Sequence, residues 1–112
     1  MKKILNIGSE PIQRHTLLFE ETEIILTLRF FPTVQQWFFD AEYKTFAVYG
    51  IKLALGVLHM RSRNQPFDFV MQDNSGLGLD CFRIGDFSDG RCSLYLVESV
   101  DMKAIRGVAV KI

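Results

Sequence analysis

Between Glu23 and Tyr43 the sequence alternates with a period of two, pauses at Pro32-Thr33, and alternates again. Ile24, Leu26, Leu28 and Phe30 share one parity, and Glu23, Thr27 and Arg29 the other, joined by Ile25 and Phe31. After the pause, Trp37, Phe39, Ala41 and Tyr43 oppose Gln36, Phe38, Asp40 and Glu42. Successive side chains of an extended strand point to opposite sides, so this pattern predicts two half-buried strands of an antiparallel hairpin. Pro32 lacks an amide hydrogen and marks the turn. Leu26, Leu28, Trp37 and Phe39 are therefore expected in the core, with Asp40 and Glu42 as a solvated stripe on the polar side. Phe31 and Phe38 do not fit: they are apolar rings on the mainly polar faces, which makes them the candidate interface residues.

The remaining segments fit the same class. Lys3 to Ile7 is an apolar run closed by Gly8-Ser9-Glu10-Pro11, and Thr16 to Phe19 is a second short strand leading to the polar connection Glu20-Glu21-Thr22. Phe46 to Tyr49 reads as a strand ending at Gly50. Ile51 to Leu58 reads as strand, turn and a short helical turn, because a helix through Gly56 would lose about 1 kcal/mol. Arg61 to Pro66 is a polar loop. Phe67 to Met71 is a strand closed by Asp73-Asn74-Ser75-Gly76, and Leu77 to Asp89 is a long loop or irregular edge. Ser93 to Val97 is apolar on both parities, as in a strand covered on both faces, which adds Leu94 and Leu96 to the expected core. Asp101 to Arg106 suits one helical turn and Val108 to Ile112 a closing strand. Seven or eight short strands punctuated by Gly, Pro and Asp/Asn turns predict an all-β domain with minor helix. The architecture is a small antiparallel β-sandwich or barrel in one domain spanning residues 1–112.

Composition narrows the function classes. A chain of 112 residues suffices for one domain with a core of its own. Thirteen basic residues offset thirteen acidic ones, so no global field draws the chain to nucleic acid. The start Met1-Lys2-Lys3 is followed by an apolar run broken at Asn6 and Gly8, too short for a secretory signal, and no segment is long enough for a membrane helix. The expectation is a soluble protein made in the cytoplasm, without membrane or specific nucleic-acid partners. Fourteen aromatic side chains are many for this length. They fit either a Phe-packed β core or a surface with aromatic anchors for a partner.

No pattern of catalytic or metal chemistry emerges, and no cofactor is expected. His15 and His59 lie far apart without convergent ligands, whereas a metal needs three or four. Asp73, Asp80, Asp86 and Asp89, with Glu98 beyond, could offer carboxylates to calcium, but their spacing matches no calcium loop and Asp is a common turn former. Gly76-Leu77-Gly78 lacks the third glycine and the helix of a dinucleotide site. Cys81 and Cys92 lack a C-x-x-C spacing and read as buried reduced thiols; a disulfide is geometrically possible but the spacing does not imply one.

Several features occur in a definite order: an N-terminal apolar strand, Pro11-Ile12-Gln13, the Leu- and Arg-containing strand Ile24 to Phe31, and Trp37-Phe38-Phe39-Asp40. Gly50, Leu53, Gly56 and Leu58 follow, then an Asp/Gly-rich stretch ending at Gly90 and the apolar strand Ser93 to Glu98. In this order they resemble the phage baseplate plug family, small proteins of contractile-tailed phages and prophages. The chain departs from the family where Phe31-Pro32-Thr33 stands in place of an Asn-containing turn, and Val100 to Ile112 extends past the resemblance. The resemblance implies a structural virion protein at or near the central hub of the tail baseplate, without enzymatic turnover. Its partners would be hub and tube proteins, with copies of itself in the assembly also possible. Two other classes stand beside it. One is a small β-barrel module binding a glycan or other ligand, motivated by the aromatic surplus. The other is a metal-assisted enzyme using the four loop aspartates.

Overall fold

The computed structural model describes residues 1–60, 63 and 65–98. The helical turn expected at Asp101–Arg106 and the closing strand expected at Val108–Ile112 lie outside these residues. Seven strands follow in chain order: β1 (Lys2–Lys3), β2 (Ile12–Phe19), β3 (Thr22–Phe31), β4 (Gln36–Tyr43), β5 (Phe46–Lys52), β6 (Phe67–Asp73) and β7 (Cys92–Glu98). They form two antiparallel sheets, a four-stranded meander β2-β3-β4-β5 and a three-stranded sheet ordered β1-β7-β6. The result is a small β-sandwich. Among the described residues, no helix is long and apolar enough to cross a membrane.

The alternation of β3 and β4 places their rows as expected. Ile24, Leu26, Leu28, Trp37, Phe39 and Ala41 are sealed from solvent, and across the sandwich Phe67, Phe69, Met71, Leu94 and Leu96 meet them. The register Phe30↔Trp37, Leu28↔Phe39 and Leu26↔Ala41 keeps both rows on one face, because a slip of one residue would turn every one of them outward. The core is aromatic: Phe19, Tyr43 and Phe67 form a triangle with ring centroids 5.1–5.8 Å apart, and Phe39 meets Phe69 edge-on at 5.3 Å. The reading of a Phe-packed β core therefore holds. Most rings fill the core, while Phe31, Tyr49 and Phe82 remain exposed.

Several boundaries differ from expectation for local reasons. The first strand is only Lys2–Lys3; Ile4 still donates its amide to Leu94 O at 2.9 Å, but Asn6 at φ 64° turns the chain off the sheet edge. The second strand begins at Ile12 rather than Thr16, because Gln13, Arg14 and His15 pair along β3 despite their polarity. Glu20 and Glu21, both at positive φ, make the two-residue link into β3, a geometry that matches strand twist at the expense of local strain in non-glycine residues. β5 runs past Gly50 to Lys52, and the amide of Leu53 reaches Trp37 O at 3.0 Å. No helical turn forms at Leu53–Leu58: Leu55 makes an isolated parallel bridge with Met71, and Gly56 turns at φ 65°.

Candidate functional site

The outer face of the four-stranded sheet carries the two misfit rings. Arg29 is opposite Phe38 and Phe31 opposite Gln36, so Phe31 and Phe38 are diagonal neighbours on adjacent strands. Their centroids stand 5.2 Å apart in an edge-to-face arrangement, with Phe31 47% exposed and Phe38 half-buried. Register continues the row from Ile12 in β2 through Arg29 and Phe38 to Lys52 in β5. Ile12 and Val34, at the same end of the sheet, are more than half exposed. The pair thus sits in an apolar end-patch bordered by two cations, the composition of an interface core with a charged rim.

Asp40 is not part of a solvated stripe. Its residue is 8% exposed, and its carboxylate is held on both sides: Oδ2 accepts from Arg29 Nε at 2.9 Å and Oδ1 from the Gly50 amide at 2.8 Å. The cause is a bulge between β4 and β5, where Tyr49 and Gly50 together face Asp40 while Phe39↔Ile51 and Ala41↔Val48 pair normally on either side. Gly50 adopts φ 67°, a conformation that glycine takes without strain, and its displaced amide finds Asp40 instead of a ladder partner. Glu42 does remain exposed. It accepts a hydrogen bond from the Tyr49 hydroxyl at 3.3 Å, and its charge raises the Tyr49 pKa.

The loop from Asn74 to Arg91 has no regular ladder, and Arg91 organises it. Its guanidinium donates to Asp86 Oδ2 at 2.8 Å, approaches Asp73 Oδ1 at 3.3 Å, and donates to the carbonyls of Asp80 and Leu79 at 2.7 and 3.2 Å. The same two carboxylates cap loop amides. Asp86 Oδ2 accepts from Phe82 and Arg83 at 2.9 and 3.0 Å, and Asp73 from Ser75, Gly78 and Leu79. Burial by itself would raise the Asp86 carboxyl, but the bond from Arg91 and the amides of Arg83 and Phe82 outweigh it and hold it well below the usual carboxylate range. Asp73 is held at about 2, first by the Ser75 hydroxyl and then, against burial, by the amides of Ser75, Leu79 and Gly78. The bond to Asp86 pushes the Arg91 pKa upward.

Of the four loop aspartates, Asp73 and Asp86 converge on Arg91, while Asp80 caps the Leu55 amide at 2.8 Å and Asp89 caps that of Arg91 at 2.9 Å. These oxygens engage two cations, Arg91 and Arg83, together with backbone amides, so the arrangement is that of a fastened loop. His59 is also committed: its Nε2 accepts from the Ala54 amide at 2.8 Å, which leaves Nδ1 to donate to Phe69 O at 2.7 Å. His15 is half-buried, and burial lowers its pKa against the opposing effect of Glu10. Asp68, fully buried, accepts the amides of Met60 and Phe69.

Sequence reasoning missed Arg91, Asp68 and the clamp at Asp40. The available signals were an arginine at the end of an Asp-rich loop, an aspartate inside an otherwise apolar strand, and a glycine after Tyr49 in a strand-forming run. Neither protein-family models nor curated proteins show a match to the chain.

Proposed function

We propose that this chain is a structural packing module of a phage or prophage tail baseplate, joined to its neighbours through the Phe31–Phe38 end of the four-stranded sheet. One observation carries the packing role: two aromatic rings in contact on the outward face, Phe31 exposed and Phe38 half-buried, beside a bulge whose displaced Gly50 amide is held by Asp40. Exposed aromatic anchors at the centre of an apolar patch are where binding energy concentrates in protein interfaces. The baseplate assignment rests on the order of features around Trp37-Phe38-Phe39-Asp40, and a rigid β-sandwich suits a space-filling role in such an assembly.

The test separates folding from assembly. Phe38→Ala should leave the isolated protein folded with nearly unchanged unfolding, while reducing its incorporation into purified tail particles. Trp37→Ala, by contrast, should lose about 3–5 kcal/mol of stability, as for a large buried aromatic. Equal loss of folding in both variants would remove the interface reading. A gene lying outside any tail-gene cluster would remove the baseplate reading while leaving the packing face to be tested against other partners.

A further inference from the structure

Cys81 lies in the long loop and Cys92 opens β7, and both are buried. Their sulfur atoms and an Asp86 carboxylate oxygen all lie within 4.8 Å of one another. Three such ligands in one place raise a metal as an alternative, but Asp86 is already engaged. Its Oδ2 takes three donors, Phe82 N, Arg83 N and Arg91 Nη2, and its Oδ1 takes Arg83 Nε at 3.1 Å. A metal cation there would compete with two guanidinium groups for one carboxylate. Without Asp86, the described residues offer two sulfurs there, short of the three or four ligands of a stable zinc site.

We propose that Cys81 and Cys92 are a site of oxidative modification, a dithiol that closes to an intramolecular disulfide and locks the loop held by Arg91. The ring so formed contains Asp86, Asp89 and Arg91, and the Cys92 amide already donates to Asp86 O at 2.9 Å at the same corner. A disulfide requires Cβ atoms about 3.5–4.5 Å apart. With the sulfurs within 4.8 Å of each other, closure to the S–S length of about 2.05 Å asks them to approach by less than about 3 Å. The oxidant is a small-molecule disulfide such as oxidised glutathione. A thiolate of the pair attacks one glutathione sulfur and releases one glutathione as thiol. The second cysteine, losing its proton, then attacks the mixed disulfide and releases the other glutathione. Two electrons pass to glutathione, and two protons leave the protein thiols. Burial pushes both thiols upward in pKa and shields them, so exchange proceeds through opening of the loop and is slow in the folded chain. The proposal does not depend on the baseplate reading.

The test uses the full chain, incubated folded in excess oxidised glutathione and, in parallel, unfolded and refolded in the same buffer. The expected product after refolding is a monomer that has lost two hydrogens, with both denatured-state thiol equivalents gone and a Tm raised by at least about 4 °C over the reduced form. Native oxidation reaches the same product more slowly. Cys81→Ser and Cys92→Ser should instead carry a single glutathione adduct after refolding and show no such gain in Tm. A stable adduct or two free thiols in the refolded wild type would overturn the proposal, as would a lower Tm on closure. Stoichiometric cadmium binding to the reduced protein, seen as thiolate-to-metal absorption and lost in Cys81→Ser, would reassign the pair to a metal.

Discussion

Arg29–Asp40 and Arg91–Asp86 are the same chemistry at nearly the same separation, 2.9 and 2.8 Å, in two very different settings. The first lies on the face of a regular sheet, with the arginine side chain 40% exposed. The second is closed off, with Asp86 fully buried beneath an irregular loop. In the sheet the ladder satisfies the backbone, and Asp40 supplies only the one amide that the Gly50 bulge displaces. In the loop the carboxylates must stand in for a missing ladder, and a buried carboxylate so used needs a cation to remain ionised. The same ion pair is thus an accessory in one place and the organising element in the other.

The sharpest way to break this contrast is to remove one carboxylate from each pair. Asp86→Ala leaves Arg91 buried beside a lost partner and strands the Phe82 and Arg83 amides, so urea unfolding should show a loss of about 3–5 kcal/mol. Asp40→Ala should cost about 1–2 kcal/mol, a hydrogen bond to a charged group discounted for its half-open arginine. Comparable losses from the two would mean that the loop carboxylate has no special standing.

The two settings also differ in how readily they were read from sequence. Periodicity reports the face a side chain takes, and it located Trp37, Phe39, Leu26 and Leu28 because burial follows face in a half-buried strand. It cannot report a partner. Asp40 has outward parity, as expected, yet it is buried, because a bulge two residues wide on β5 brings an amide to it while Arg29 reaches it from β3. Leu77 to Asp89 reads correctly as a long loop, since glycines and aspartates favour turns. That Asp73 and Asp86 would aim at Arg91 depends on β6 and β7 pairing Asp73 with Cys92. That long-range register has no local signature. The helical turn expected in the segment after Ile51 fails at Leu53–Leu58 because a bridge to Met71 outcompetes local propensity.

Acid should separate the settings next, with a smaller effect than deletion because a protonated carboxyl keeps part of its hydrogen bonding. Asp73 and Asp86 both titrate lower in the folded loop than in an unfolded chain, Asp73 at about 2. Their contribution to stability is therefore complete above an unfolded value near about 4 and is lost as pH falls through about 2 for Asp73 and further below for Asp86. Thermal melts across that window should fall steeply in the wild type and less so in Asp73→Asn and Asp86→Asn. An unchanged slope in both variants would show that acid sensitivity arises elsewhere.

Trp37 connects the two settings. It sits in the sheet core, yet its Nε1 donates to Arg83 O at 3.2 Å and its ring meets Phe87 edge-on at 5.5 Å. Trp37→Phe keeps an aromatic ring but removes one of two donors to the Arg83 carbonyl, which still accepts the Asp86 amide at 3.2 Å, with a loss of about 1 kcal/mol. Amide exchange should quicken at Arg83 and Asp86 before it does in β3 and β4. A uniform change across sheet and loop would show that the indole acts through volume alone.

Arg29→Ala should have the smallest effect. With its side chain 40% exposed, Arg29 meets Asp40 across a boundary open to water, where such pairs contribute less than about 1 kcal/mol. Asp40 retains the Gly50 amide in the variant, so the bulge should persist and the strand register with it. Salt provides the discriminating measurement. At about 1 M ionic strength the screening length falls to about 3 Å, and the difference between wild type and variant should nearly vanish. A loss above about 2 kcal/mol that salt does not reduce would place Arg29 among the packing residues. The stem of that arginine lies in the same cross-strand row as Ile12 and Phe38, so such a result would enlarge the apolar end-patch by one residue and shift the contrast from charge to contact area.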